Sequence, residues 1–207
     1  MKDYLYIDGE QLENGNIGVV YTDEKDEQVE VKFAGVSVIN SDLTEEEHAI
    51  YHKIFQTLGI RFLFGDNQPK ISFYAVPQIF IFATGSEREY FASLKKPPSM
   101  DEDDTPIYYI YGKNCYFKIS DCLKSFFQTI LYNPDWKTSV VEKKLKDKPP
   151  NNIDCNRKEL VDLLGLEKNH DPYSKTNEDK EELILYSSYE EAAKLHRFLS
   201  LNHLFKE

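Results

Sequence analysis

Thiols are scarce in this 207-residue chain: Cys115, Cys122 and Cys155 are all it has. Their spacing forms no C-x-x-C metal pair, and an odd, sparse set argues for a reduced compartment over a disulfide scaffold. No apolar run approaches the roughly 20 residues that cross a bilayer. The N-terminus, MKDYLYIDGEQ, lacks the apolar stretch of a signal peptide, because Asp3, Asp8 and Glu10 interrupt it. The expectation is a cytoplasmic protein with no membrane partner. Neither a P-loop nor G-x-G-x-x-G spacing occurs among the nine glycines, so nucleotide binding is without support. Positive charge is in deficit as well, with 25 Lys and Arg against 36 Asp and Glu, a net −11. Such a field repels a phosphate backbone and removes nucleic acid from the expected partners. Acidity by itself serves solubility; its sharper meaning is an acidic face that meets a basic protein.

What the chain has in quantity is rings, 14 Tyr and 13 Phe. Disordered chains are poor in aromatics, and this length suffices for one sizeable core. The first forty residues read as a meander, with YLYIDG, NIGVVYT and QVEVKFAGVSVI rich in β-branched and aromatic residues. Thr44 and Glu47 then fit a capping box, Ile50, Ile54 and Leu58 recur every four residues with Tyr51 and Phe55 beside them, and Gly59 is placed to stop the helix. Strand-like runs IRFLF, KISFYAV and IFIFAT follow. The run IYYIYGKNCYFKI predicts a hairpin leading into a helix with Leu123, Phe126, Phe127, Ile130 and Leu131 on one face, Ser120 as its cap and Pro134 beyond its end.

Past Trp136 the composition shifts. KTSVVEKKLKDKPPNN holds five lysines and Pro149-Pro150, the pattern of a linker or a solvated charged strip. RKELVDLLG predicts a short helix with Asn156 as cap and Gly165 as stop, and Ser188 with Glu191 forms a capping box for a last helix from Tyr189. The expected division is a domain over 1–136, with the 1–40 meander as an addition, a Lys/Pro-rich linker over 137–156, and a helical C-terminal extension over 157–207.

Motifs for chemistry fail on their spacing. Ser86 follows Gly85 directly and precedes a strand-like run, whereas a nucleophile elbow needs G-x-S-x-G between strand and helix. The stretch TGSERE is therefore a hairpin tip. His48 and His52 lie four apart on a helix, but Ala49 stands where H-E-x-x-H has its Glu, and no third ligand follows. His196 and His203 are seven apart and equally incomplete. Cys122, near a helix N-terminus, has burial as its ordinary role and a reactive thiol as the exceptional one. Carboxylates cluster at Glu87 and Glu89, two apart and so on one face of a strand, and at Asp101, Glu102, Asp103 and Asp104 in the loop KKPPSMDEDDTP. That loop lacks the D-x-[DN]-x-[DN]-G order of a calcium site, so neither metal nor cofactor is expected.

The order PQIFIFATGSEREYFASL, loop, PIYYIYGKNCYFKISDCLKSFFQTIL resembles the C-terminal half of the SUKH superfamily, mainly over residues 77–131. The counterparts are Phe82 ending a strand, Gly85 in the turn, Tyr90-Phe91-Ala92, Pro106 before a strand, and Ile119-Ser120-Asp121-Cys122-Leu123 through Phe127. The turn lacks the family's glycine pair, and no Leu-Pro-x-x-Tyr helix precedes it. The resemblance implies an α+β fold, a central mostly antiparallel sheet flanked by helices, here with the helical C-terminal extension. It also implies a function in protein binding, as in bacterial immunity proteins that neutralise polymorphic toxins and fungal cell-wall-assembly regulators.

Two functions of different class therefore stand. The first is a non-catalytic module whose Glu87, Glu89, Asp101, Glu102, Asp103 and Asp104 attract a basic partner such as a toxin domain, with Trp136 as an anchor. The second is an enzyme with a metal or acid–base site built from His48, His52 and carboxylates.

Overall fold

Strands that carry apolar residues almost continuously are the ones covered on both faces, and IFIFAT, EYFASL and IYYIY are of that kind. The protein is represented by a computed structural model that describes residues 3–7, 18–22, 29–38, 44–64, 69–86, 88–94, 96–101, 103–112, 115–141, 153–167 and 183–195. Strands β1 (Asp3–Ile7), β2 (Gly18–Thr22) and β3 (Val29–Phe33) form an antiparallel meander. Strand β4 (Val36–Val38) leaves it to join the central sheet. After helix α1 (Glu45–Leu58) come β5 (Arg61–Phe62), β6 (Tyr74–Val76), β7 (Ile79–Thr84), β8 (Glu89–Leu94), β9 (Ile107–Tyr111) and β10 (Cys115–Ser120).

The central sheet runs β10-β9-β8-β7-β4, with β5 also on β7. Among the described strands of this sheet only the β4–β7 pair is parallel; the other pairings are antiparallel. Strands β4 and β5 share one edge of β7, the first against Ile79–Ile81 and the second against Ala83 and Thr84. The class is α+β around a central sheet, as expected.

Alternation along β8 and β9 separates two cores. Phe91, Ile107 and Tyr109 face the helices α1, α2 (Leu123–Tyr132), α3 (Trp136–Val141) and α4 (Cys155–Leu163). Tyr90, Ala92, Tyr108 and Ile110 face the other way, with Ala75 and Leu183. On that side β6 pairs with β11 (Ile184–Tyr186), and α5 (Tyr189–Leu195) adds a small cluster through Ala192. A bulge in β7 lets Ile81 pair with Ala92 and Ala83 with Phe91, so the extra residue, Phe82, joins the helical side.

Local signals hold where their chemistry is short-range. Thr44 and Glu47 complete the capping box on α1, with the Glu47 carboxylate accepting from Thr44 N–H at 2.8 Å, and Gly59 closes the helix at φ 67°. Two caps fall on other residues than expected. Ser120 ends β10, and Cys122 caps α2, its sulfur accepting from Ser125 N–H at 3.4 Å. Asp154, ahead of Asn156, caps α4 by accepting from Arg157 N–H at 3.0 Å.

The expected linker and helical extension are corrected in the same way. Residues 136–141 are helix α3 with Val140 buried, and the rest of the linker lies outside the described residues save 153–156. Helix α4 is part of the main core: Leu160 is buried beside residues of α1 and α2, and Arg157 donates to the Ile130 and Leu131 carbonyls at 2.7 and 3.1 Å. Those carbonyls belong to the last turn of α2, which lacks a basic residue of its own. Lys53 on α1 pairs with Glu159 on α4. The C-terminal portion also includes a strand, β11, and so is not wholly helical. His196 and His203 lie outside the described residues. None of the described helices is long and apolar enough to cross a membrane.

Because α4 shares the main core, Leu160→Ala should lower the unfolding free energy by about 2–4 kcal/mol in urea titration while leaving one cooperative transition. A loss below about 0.5 kcal/mol would show α4 to be an appendage.

Candidate functional site

Glu89 begins β8, just past a tight tip in which Arg88 takes φ 65°. Its carboxylate turns inward. The residue is only 6% exposed, so Glu89 is not a rim charge as the period of two with Glu87 implied. Tyr109 O–H donates to Oε1 at 2.7 Å, Lys137 Nζ donates to both oxygens at 2.9 and 2.7 Å, and Ser86 N–H donates to Oε2 at 2.9 Å. Burial alone would raise the carboxyl above its ordinary 4.5. The donors from Lys137, Tyr109 and Ser86 outweigh burial and hold it at about 2. The Tyr109 phenol moves upward, through burial first and then through its bond to this carboxylate. A carboxylate ionised at neutral pH with both oxygens engaged is a lock across β8, β9 and α3, poorly placed to exchange a proton with a substrate.

The tip is shaped by that lock. A Cβ on Gly85 would stand 2.2 Å from Glu89 Oε2 and 3.1 Å from Glu89 Cβ, so a side chain there would push the carboxylate out of this arrangement. Gly85 N–H donates to the Glu89 carbonyl at 3.1 Å, and Glu89 N–H donates to the Ser86 carbonyl at 3.1 Å. Ser86 is thus a turn residue whose amide serves Glu89.

Trp136 is buried at 4% exposure, which corrects its expected role as a partner anchor. Its ring lies 5.2 Å from Tyr109 and 5.8 Å from Phe91, and the neighbouring Lys137 Nζ sits 5.7 Å from the indole. The physical reason is its place at the start of α3: the ring fixes α3 on the sheet and so delivers Lys137 to Glu89. Glu87 and Glu102 lie outside the described residues. Asp101, Asp103 and Asp104 are exposed on the β8–β9 connection. Lys96 Nζ donates to Asp104 at 2.9 Å and lowers that carboxyl, while Asp101 N–H donates to Ser99 Oγ at 3.3 Å. The predicted acidic residues are therefore not one patch, since Glu89 is inside and these three aspartates are outside.

His48 and His52 are exposed on α1. No group of three His, Cys, Asp or Glu that could hold a metal occurs among the described residues. Instead the two imidazoles border a groove of about 620 Å³ between α1 and β5, with Tyr51, Phe55, Arg61 and Phe62 on its walls. The Tyr51 ring lies 4.7 Å from both Phe62 and Phe64. An adjoining recess of about 410 Å³ shares His48, Arg61, Phe62 and Phe64 and adds Leu63, Pro69 and Thr84. The sequence signal for this groove is the broad stripe of α1, where Tyr51 and Phe55 sit beside the Ile50, Ile54, Leu58 row. Only Ile54 of that helix is buried, and Phe55 is 39% exposed.

A depressed acid stabilises the fold above its unfolded pKa and stops doing so as pH falls toward its folded one. Glu89→Gln should therefore cost about 2–3 kcal/mol at pH 7, below the full linkage value because the Lys137 partner is 44% exposed and screened. Measured by urea unfolding from pH 7 to about pH 2, the variant should also lose part of the decline that the parent shows between 4.5 and about 2. Equal stability of the two at pH 7 would refute the lock.

No protein-family model, curated protein or solved structure matches this chain, so the site is read from its own residues and geometry.

Proposed function

We propose that this chain is a non-catalytic, cytoplasmic protein-binding module, of the kind formed by SUKH-like immunity proteins that neutralise a toxin or by related regulators. The observation that carries the reading is where the charge sits. The most strongly perturbed acid among the described residues, Glu89, is buried with both carboxylate oxygens engaged. Asp101, Asp103 and Asp104, in contrast, stand in water between β8 and β9, two strands with buried residues along almost their whole length. Lys96, partly exposed, partners an Asp104 that stands largely in solvent, a pairing worth little to stability. Exposed like charges held by rigid strands, on a chain of net −11, suit the steering of a basic protein such as a toxin domain.

Rim charges act chiefly on the association rate. A partner recovered by affinity capture, followed by surface plasmon resonance at about 50 and 500 mM salt, should associate at least about tenfold more slowly at the higher salt. Replacing Asp101, Asp103 and Asp104 together by Ser should reproduce most of that slowing at low salt and leave the melting temperature of the module unchanged. An association rate indifferent to both salt and the triple substitution would sink the steering role.

A further inference from the structure

The groove between α1 and β5 departs from the chemistry of the rest of the surface. The chain carries a net −11, yet among the described residues lining the two adjoining recesses none is acidic. Their polar side-chain groups are the imidazoles of His48 and His52, the Tyr51 and Thr84 hydroxyls and the Arg61 guanidinium. Arg61 lies over the Phe55 ring at 4.9 Å and has no ion-pair partner among the described residues. A guanidinium over a ring face still has N–H donors to offer, and a planar donor fork suits a carboxylate that accepts in bidentate fashion. Tyr51, Phe62 and Phe64 supply an apolar floor, half-buried and therefore still reachable.

We propose that this groove is a docking site for an extended segment of a partner protein in which carboxylate side chains alternate with aromatic or aliphatic ones. Charge complementarity selects the carboxylate, through Arg61 with His48 and His52 beside it. The two recesses select the extended form: they meet across Arg61, Phe62 and Phe64, and successive side chains of an extended chain point in opposite directions. Strand β5 pairs only with β7, so its outer edge is unpaired among the described strands and offers backbone groups to an added strand. The walls are open, with His48, His52, Phe55 and Arg61 all exposed, which suits a peptide better than an enclosed small molecule. This site uses other residues and the opposite charge from the acidic loop, and does not depend on the reading of that loop.

The probe is the fluorescein-labelled peptide acetyl-Glu-Phe-Glu-Phe-Glu-amide, titrated with the full chain and followed by anisotropy. Two companions carry Lys in place of Glu, or Ala in place of Phe. The first peptide should bind saturably and both companions at least about tenfold more weakly; Arg61→Glu should weaken the first peptide by a similar factor, the size of one lost charge-assisted hydrogen bond. Phe55→Ser, which alters the same wall, should weaken it too, and carries the test should the Arg61 variant fail to fold. Equal binding of all three peptides, indifference to both substitutions, or no saturation up to about 1 mM would overturn the proposal. Sedimentation adds one more outcome: a parent dimer abolished by Arg61→Glu would overturn it in favour of a second copy as the occupant.

Discussion

One ionised carboxylate sets the relation among the sheet, the hairpin tip and the helical layer. Glu89 receives a phenol from β9, an ammonium from α3 and an amide from its own turn. Each donor restricts a neighbour. The amide requires the close approach that leaves Gly85 no room for a side chain; the ammonium requires α3 to lie against the sheet, which Trp136 secures by packing on Tyr109 and Phe91. An isolated buried charge would be costly, and it is the completeness of this network that makes burial tolerable. The same completeness removes Glu89 from any account of proton transfer or partner steering.

Around that lock the helices divide their apolar surface unequally. Helix α2 places seven of its residues in the interior, and α4 closes the layer by contributing Leu160 and by supplying, through Arg157, donors for the last carbonyls of α2. Helix α1 buries Ile54 alone. Its surplus of rings therefore faces the solvent edge of the sheet beside β5, where Phe62 stacks against Phe127 of the core on one side at 5.9 Å and meets Tyr51 on the other. The groove is what remains when one helix carries a wider apolar stripe than its neighbours cover.

Charge is distributed with the same inequality. Aspartates project from the β8–β9 connection, imidazoles and a guanidinium from the α1–β5 edge, so the exposed charged groups of these two places differ in kind.

Much of the element inventory could be read directly from residue order. The Thr44–Glu47 box, the Gly59 stop, the two hairpins and the apolar face of α2 all depend on contacts within a few positions, and the periods of 2 and 3.6 report such contacts. The cap at Asp154 escaped because neighbouring Asn156 has equal capping chemistry, and the one at Cys122 because Ser120 is the better capping residue by type; strand and helix ends decide between them. The fate of Glu89 and Trp136 was beyond reach for a different reason. Tyr109 lies 20 positions from Glu89 and Lys137 lies 48 away, and no local pattern encodes a meeting at that separation. Residue order determined which segments are helix and strand; only packing of the helices on the sheet decided which acids face water and which ring is core, because burial is set by what lies opposite in space.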